Sequence, residues 1–278
     1  MTTISVVNAC LLFFSGLTFF TGLFIIQLRF WFKTKLGKEL TVRYDLSRKD
    51  CADISNKIVS AIQAVMSSVA GFMMCYSCYH ALVHCSDPVT LNYACFGSGY
   101  FIYDIVSMFY VSTLEEGRGR RESCWRKVWR YMKSSPLMLV HHLGLVTGGF
   151  LVGILRDTTR PADFIVGTVY LMEASTPFVS FRSILSTMKM KSSLLYMVNG
   201  ILLLLFFPFF RILNLIYTAY LYGLEEGMTV EEVLYGMSPG WKITFVALVA
   251  PQVYWCRLIL LGATRMIHQR RKLSRLER

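Results

Sequence analysis

Apolar residues run along the chain in long stretches, not in the short alternations of a water-soluble domain. A hydrocarbon core about 30 Å thick takes about 20 residues of helix to cross. Seven stretches reach or approach that length: residues 6–28, 58–81, 91–114, 137–155, 162–185, 194–219 and 241–266. The fourth is the shortest, and the third, fifth and sixth carry polar residues inside them. No repeat, low-complexity tract or separate soluble domain interrupts the pattern. It predicts an all-α fold, a polytopic membrane bundle of about seven transmembrane helices.

Composition agrees. Hydrophobic residues make up 54% of the 278 and charged residues 17%, against about 25% charged in a soluble domain. The net charge of +12 would suit a nucleic-acid partner if the basic residues formed one surface. They lie instead between the apolar stretches. Twenty-four of the 29 Lys and Arg fall in segments 29–57, 118–133, 182–191 and 265–278. Only Arg156, Arg160 and Lys242 fall in the alternate loops, and Arg211 and Arg257 lie inside apolar stretches. The alternation places the N-terminus in the lumen and the C-terminus in the cytosol, and it excludes nucleic acid as the partner. The first stretch has no basic region before it and is followed by the densest basic segment, so it reads as a retained anchor and not a cleaved signal. No Asn-x-Ser/Thr site is present, and the terminal Leu-Glu-Arg carries no simple address.

Cysteines and histidines away from the centre carry little chemistry. Cys75 and Cys78 have C-x-x-C spacing but sit in an apolar stretch, where they read as packing residues. Cys85 and Cys95 flank a short lumenal loop, where a disulfide between them is one option. His80 and His84 are four apart, as metal ligands on one helical face can be. No carboxylate motif completes a site, so they read as a polar helix end, and no metal is expected.

The informative residues are polar ones inside apolar stretches, because an ionisable group in hydrocarbon is costly and marks function. They are Asp104 in the third stretch, His141 and His142 in the fourth, Glu173 in the fifth and Arg211 in the sixth. At about 1.5 Å per residue the histidines lie roughly 7 Å, and Asp104 and Glu173 roughly 15 Å, from the cytosolic helix ends. One polar cavity open to the cytosol would fit these depths. Arg211 paired with Glu173 or with Asp104 has a purely structural reading as a buried ion pair. The adjacent histidines are harder to place so: their side chains diverge by about 100° and cannot both face lipid. Imidazole suits proton transfer near neutral pH. Pro177 cannot donate to the Glu173 carbonyl four residues earlier, which predicts a free acceptor in the same turn as the acid, partly re-satisfied by Ser175 and Thr176. Gly144, Gly148, Gly149 and Gly153 form two G-x-x-x-G spacings that predict close approach of a helix beside the histidines.

Taken together, Gly99-Tyr100…Asp104, His141-His142, Glu173-x-Ser175-Thr176-Pro177-Phe178, Asn199-Gly200 and Arg211 resemble the TLC-domain family. That family is named for translocation-associated, ceramide synthase and ceroid-lipofuscinosis members. The resemblance spans the third to sixth stretches and implies a TLC domain over 38–266. An anchor helix and the start of the first cytosolic loop precede it (1–37), and a basic cytosolic tail follows (267–278). It implies a role in ceramide synthesis at the endoplasmic reticulum membrane, or the Golgi. The reaction would be transfer of an acyl group from acyl-CoA, as co-substrate, to a sphingoid base, with no other cofactor. The family's His pair maps onto His141 and His142 as general base or acyl acceptor. Glu173 would orient it, Tyr100, Asp104 and Arg211 would line the substrate cavity, and the basic loops would attract the CoA phosphates. The ceramide synthase branch continues with a His-Asp segment and a further Asp in the next helix, where this chain has Tyr170-Leu171-Met172-Glu173. That departure favours a second reading, a non-catalytic lipid-binding regulator or partner of ceramide synthases. A lipid transporter, the third, is supported by no nucleotide loop or inverted repeat. In each case the surroundings are membrane lipids.

Overall fold

The structure, a computed structural model, describes residues 4–114, 123–134, 136–154 and 159–276. Arg118, Arg120, Arg121, Arg156 and Arg278 of the basic count lie outside the described residues. Every described element is helical. Six helices are long and apolar enough to cross a membrane, and a shorter apolar helix joins them, so the chain forms the expected polytopic all-α bundle. The six are α1 (Val6–Lys33), α3 (Arg48–Cys78), α4 (Pro88–Thr113), α7–α8 (Asp163–Leu171 and Thr176–Thr187), α9–α10 (Leu194–Pro208 and Asn214–Glu226) and α12 (Pro239–Leu276), and α6 (Pro136–Ile154) is the shorter apolar helix. Short α2 (Lys35–Arg43) and α5 (Cys124–Ser134) lie at the end that carries the basic segments, and α11 (Val230–Gly236) lies at the opposite end. Leu11, Ile26, Val69, Phe72, Leu205 and Val246 are exposed, a distribution suited to lipid and costly in water.

Local sequence sets the helix ends. α3 begins ten residues before its apolar stretch because Ser47 and Asp50 form a reciprocal capping box. Its polar first turns then pack Cys51, Ala52, Ile54, Ser55 and Asn56 inward. Asp87 caps α4 through the Val89 N–H (2.8 Å), with Pro88 in the first turn. At the basic end, Lys189 reaches Asp45 (2.7 Å) across two interhelical turns and holds that exposed carboxyl below the usual range.

Two crossing elements break mid-way. Pro177 ends the regular ladder, and Met172–Ser175 form a 3-10 turn between α7 and α8. The Glu173 carbonyl is not left free, as Pro177 alone predicts, because the tighter turn lets the Thr176 N–H donate to it. Pro208 at the end of α9 is followed by a π turn, Phe209–Leu213, which carries Arg211.

The tightest helix contacts are made by glycines other than those picked out by spacing. A Cβ on Gly16 of α1 would sit 2.1 Å from the Phe96 carbonyl oxygen, and one on Gly99 of α4 would sit 2.5 Å from the Phe13 oxygen. Around this contact Phe20, Phe24, Tyr100 and Tyr103 form an aromatic core. Gly71 of α3 and Gly167 of α7 approach each other likewise, at 2.6 Å. A Cβ on Gly144 or Gly148 would meet nothing within 4 Å among the described residues. Their G-x-x-x-G spacing is therefore not an interface here: that face of α6 turns outward. The surroundings of Gly149 and Gly153 lie outside the described residues.

At the end opposite the basic segments a disulfide joins Cys78 to Cys85. This corrects two expectations: Cys78 is not a packing thiol, and Cys95 is a free thiol buried in α4. Closing so short a loop is worth about 2–3 kcal/mol in the chain-entropy account. The loop also gives the Val83 carbonyl to Ala162 N–H (2.9 Å) and the Leu82 N–H to Glu225 (3.0 Å). Arg160 pairs with Glu226 beside it. α3 ends at Cys78, so His80 and His84 do not share a helical face. His80 stacks edge-on with Tyr79, and His84 Nδ1 lies 3.3 Å from the Thr159 carbonyl.

Candidate functional site

The structure brings the intramembrane polar residues into two clusters on either side of His141. The first joins α3, α4 and α6. The His142 Nδ1 lies 3.3 Å from Asp104 Oδ2, within reach but misaligned for a hydrogen bond. Asp104 Oδ1 accepts from Asn56 Nδ2 at 2.8 Å, and Asn56 Oδ1 accepts from the Tyr103 hydroxyl (2.9 Å) and the Ser107 hydroxyl (2.7 Å). Asp104, His142, Asn56, Tyr103 and Ser107 are all buried. The carboxylate is thus fixed by a neutral amide–hydroxyl network on one oxygen and offers the other to an imidazole.

The second cluster joins the 3-10 turn, α8, the π turn and α12. Arg211 is the hub. Its Nη2 lies 3.4 Å from each Glu173 oxygen and donates to Thr176 Oγ1 at 2.6 Å. Its Nε donates to Ser175 Oγ at 2.9 Å, and its Nη1 donates to Gln252 Oε1 at 2.9 Å. The Thr176 hydroxyl in turn donates to Glu173 at 2.6 Å. The guanidinium also lies over the Phe207 ring, 5.3 Å from its centroid. The backbone breaks at 172–175 and 209–213 aim these groups at one another, as a 3-10 or π segment often does at a functional site.

His141 packs edge-on against Trp255 of α12 (5.4 Å) and beside His142 (5.8 Å). The Glu173 carboxylate lies within electrostatic reach of both imidazoles. The acid in contact with the pair is nevertheless Asp104, not the expected Glu173. Glu173 is committed to Arg211, which settles the ion pair that the sequence leaves open. Tyr100 takes a place in the aromatic core, edge-on to Phe20 at 5.2 Å.

Asn56, Ser107, Gln252 and Trp255 belong to the centre although none stands out in the sequence as a site residue. The signal for Asn56 is a polar stripe on α3: Asn56, Ser60, Gln63 and Ser67 recur at helical spacing, and Asn56, Gln63 and Ser67 are buried. Gln252 is fully buried, and its Nε2 has no hydrogen-bond partner among the described residues. The donor orientation follows from Arg211, which takes the amide oxygen and turns the nitrogen away. A groove of about 650 Å³ between α3, α7 and α10, lined by Phe72, Tyr76, Tyr79, Phe164 and Tyr217, lies apart from both clusters. Among the described residues no three His, Cys, Asp or Glu come together as a metal site.

An imidazole with a carboxylate partner can accept and return a proton. A guanidinium held by an acid, two hydroxyls and an amide fixes the surrounding helices. Residues 53–261, more than half of the chain, match the TLC domain family. No solved structure matches the chain.

Proposed function

The chain belongs to the TLC-domain family, and from that premise we propose that it is a membrane protein of ceramide synthesis that N-acylates a sphingoid base from long-chain acyl-CoA. The observation that carries this reading is the His142–Asp104 contact beside His141. The ceramide synthase branch has a His-Asp segment and a further Asp in the helix after the His pair, and Tyr170–Glu173 has neither; its one acid, Glu173, is taken by Arg211. Here Asp104, from the preceding crossing helix, stands in the corresponding role. In the proposed reaction a neutral imidazole of the pair takes the proton from the sphingoid amine as its nitrogen attacks the thioester carbonyl. The N–C bond forms, the C–S bond breaks, and the imidazolium returns the proton to the CoA thiolate. Asp104 stabilises the transient cation. The basic segments at the end nearest the histidines suit the CoA phosphates.

The proposed place is the endoplasmic reticulum or Golgi, with the N-terminus lumenal and the C-terminus cytosolic. The Cys78–Cys85 disulfide supports it, because the bond needs an oxidising compartment and lies opposite the basic end. Within the family, we propose form B of TLC domain-containing protein 3 rather than form A, from the wording at 195–202 and 249–255. A second reading, a lipid-binding regulator of ceramide synthases, is favoured by the missing His-Asp segment.

The test is ceramide formed per mole of purified protein in liposomes, with acyl-CoA and sphingoid base supplied. His141→Ala and His142→Ala are expected to fold, and at least one to lose about 100-fold or more of activity. Retained specific activity in both variants overturns the catalytic reading. No activity in the unaltered protein moves the assignment to the regulator.

A further inference from the structure

The helix α5 has no part in the site described above, yet it is sharply two-faced. At about 100° per residue, Trp125, Val128, Trp129 and Met132 fall within an arc of about 100°, and Arg126, Lys127, Arg130 and Lys133 fill the opposite arc. Cys124–Ser134 contains no acidic residue. An amphipathic helix normally buries its apolar face against the protein. This one does not: Trp125 is 74% exposed, Trp129 51% and Met132 41%. Only Tyr131, between the two arcs, is buried, edge-on to Phe109 of α4 at 5.7 Å.

That contact sets the depth. Phe109 is one turn from the end of α4 at Thr113, so α5 is held at the rim of the hydrocarbon layer, neither inside the bundle nor out in bulk water. At such a depth indole rings sit at the boundary of headgroups and acyl chains. Lys133 lies over the Trp129 ring, 5.1 Å from its centroid, which keeps a cation beside the ring at the same level. An interfacial helix with aromatic residues on one face and only Lys and Arg on the other is drawn to anionic lipid by both halves of its surface.

We propose that α5 is an interfacial helix that docks on anionic phospholipid of the leaflet at the basic end of the bundle. Trp125, Trp129 and Met132 enter the acyl boundary, and Arg126 and Lys133 face the headgroup phosphates. The occupant is the bilayer and not a protein, because the exposed apolar face sits at membrane level and the opposite face is uniformly cationic. The helix leads within two residues into α6, which carries His141 and His142. Docking would therefore also fix the start of the helix that bears the pair.

The experiment uses the full chain, reconstituted in vesicles of phosphatidylcholine alone or with one fifth phosphatidylserine. Lipid that stays with the protein on mild detergent extraction is quantified by class. The unaltered protein is expected to retain phosphatidylserine several-fold above its share of the vesicle. The double change Arg126→Glu with Lys133→Glu should reduce that enrichment by about fivefold or more, since each basic residue at an anionic surface is worth about fivefold in binding. Both positions are exposed, so folding should be kept. Depth is read separately, from quenching of tryptophan emission by brominated acyl chains against aqueous iodide. The part lost on changing Trp125→Phe and Trp129→Phe should be the part quenched by brominated lipid. An unchanged phosphatidylserine ratio overturns the proposal. So does iodide quenching of these two indoles in vesicles, which would leave the face open for a protein.

Discussion

Asp104 and Glu173 start out alike, each a lone carboxylate about half-way along an apolar stretch and each about the same distance from the basic end. The structure gives them different company. Glu173 meets a permanent cation, at 3.4 Å on both oxygens, with a threonine hydroxyl bridging the two. Asp104 meets a side chain that can be either neutral or charged, with its other oxygen already held by Asn56. A guanidinium does not give up its proton in a protein, so the Glu173 cluster has one state and acts as a bolt between helices. An imidazole can change state, so the Asp104 cluster can follow a proton. Burial and charge alone would have assigned both acids the same role, and partner chemistry separates them.

The separation is broken most directly at the bolt. Replacing Arg211 by Leu strands the Glu173 carboxylate among apolar helices, and losing one member of a buried pair costs about 3–5 kcal/mol. Glu173→Leu should approach the same loss, because it strands Arg211. Glu173→Gln should be milder, since an amide oxygen can still accept from Thr176 and Arg211. The measurement is thermal unfolding in detergent together with expression level. Equal and negligible effects of all three would place Glu173 in contact with water and remove the bolt.

At the other acid the order of effects is expected to invert. Asp104→Asn keeps an oxygen that can accept from Asn56, so stability should fall by about 1 kcal/mol or less. Ceramide formation should fall by about 100-fold if Asp104 stabilises a protonated histidine. Glu173→Gln should show the opposite balance, losing stability first. An Asp104→Asn protein that is unstable but fully active per mole would show that the two clusters do the same structural work.

The polytopic all-α bundle was legible because hydrocarbon imposes a length and an apolar composition that survive any detail of packing. The ionisable members of the centre were legible for the related reason that hydrocarbon makes them conspicuous. What was hidden is what depends on partners. Asn56 lies in a stretch that reads as a basic loop, and only the capping box at Ser47 and Asp50 turns that stretch into helix and carries Asn56 to Asp104. Gln252 is one amide in an apolar run, and nothing in its neighbours says that Arg211 will take its oxygen. The Cys78–Cys85 pairing was missed because a helical C-x-x-C looks like packing until the helix is seen to stop at Cys78.

The glycines give the finest comparison, since the same spacing rule applies to faces that turn out opposite. Gly99 lies where α1 and α4 touch through backbone, and an added methyl would have to displace the Phe13 carbonyl and the Leu17 N–H, both 2.5 Å away. Backbone cannot swing aside like a side-chain tip, so Gly99→Ala must part the helices and loosen the aromatic core around Phe20 and Tyr103. A cost of about 1–3 kcal/mol is expected for such overpacking. Gly144 is two residues from His142 on α6, with open space around its Cα. Gly144→Ala inserts its methyl into that space and removes some backbone freedom from the unfolded chain, so it should be neutral or stabilise by about 0.5–1 kcal/mol. Thermal unfolding of the two variants side by side decides the matter. A loss at Gly144 as large as that at Gly99 would mean that a helix does pack on the outward face of α6, beside the histidines, as its G-x-x-x-G spacing suggests.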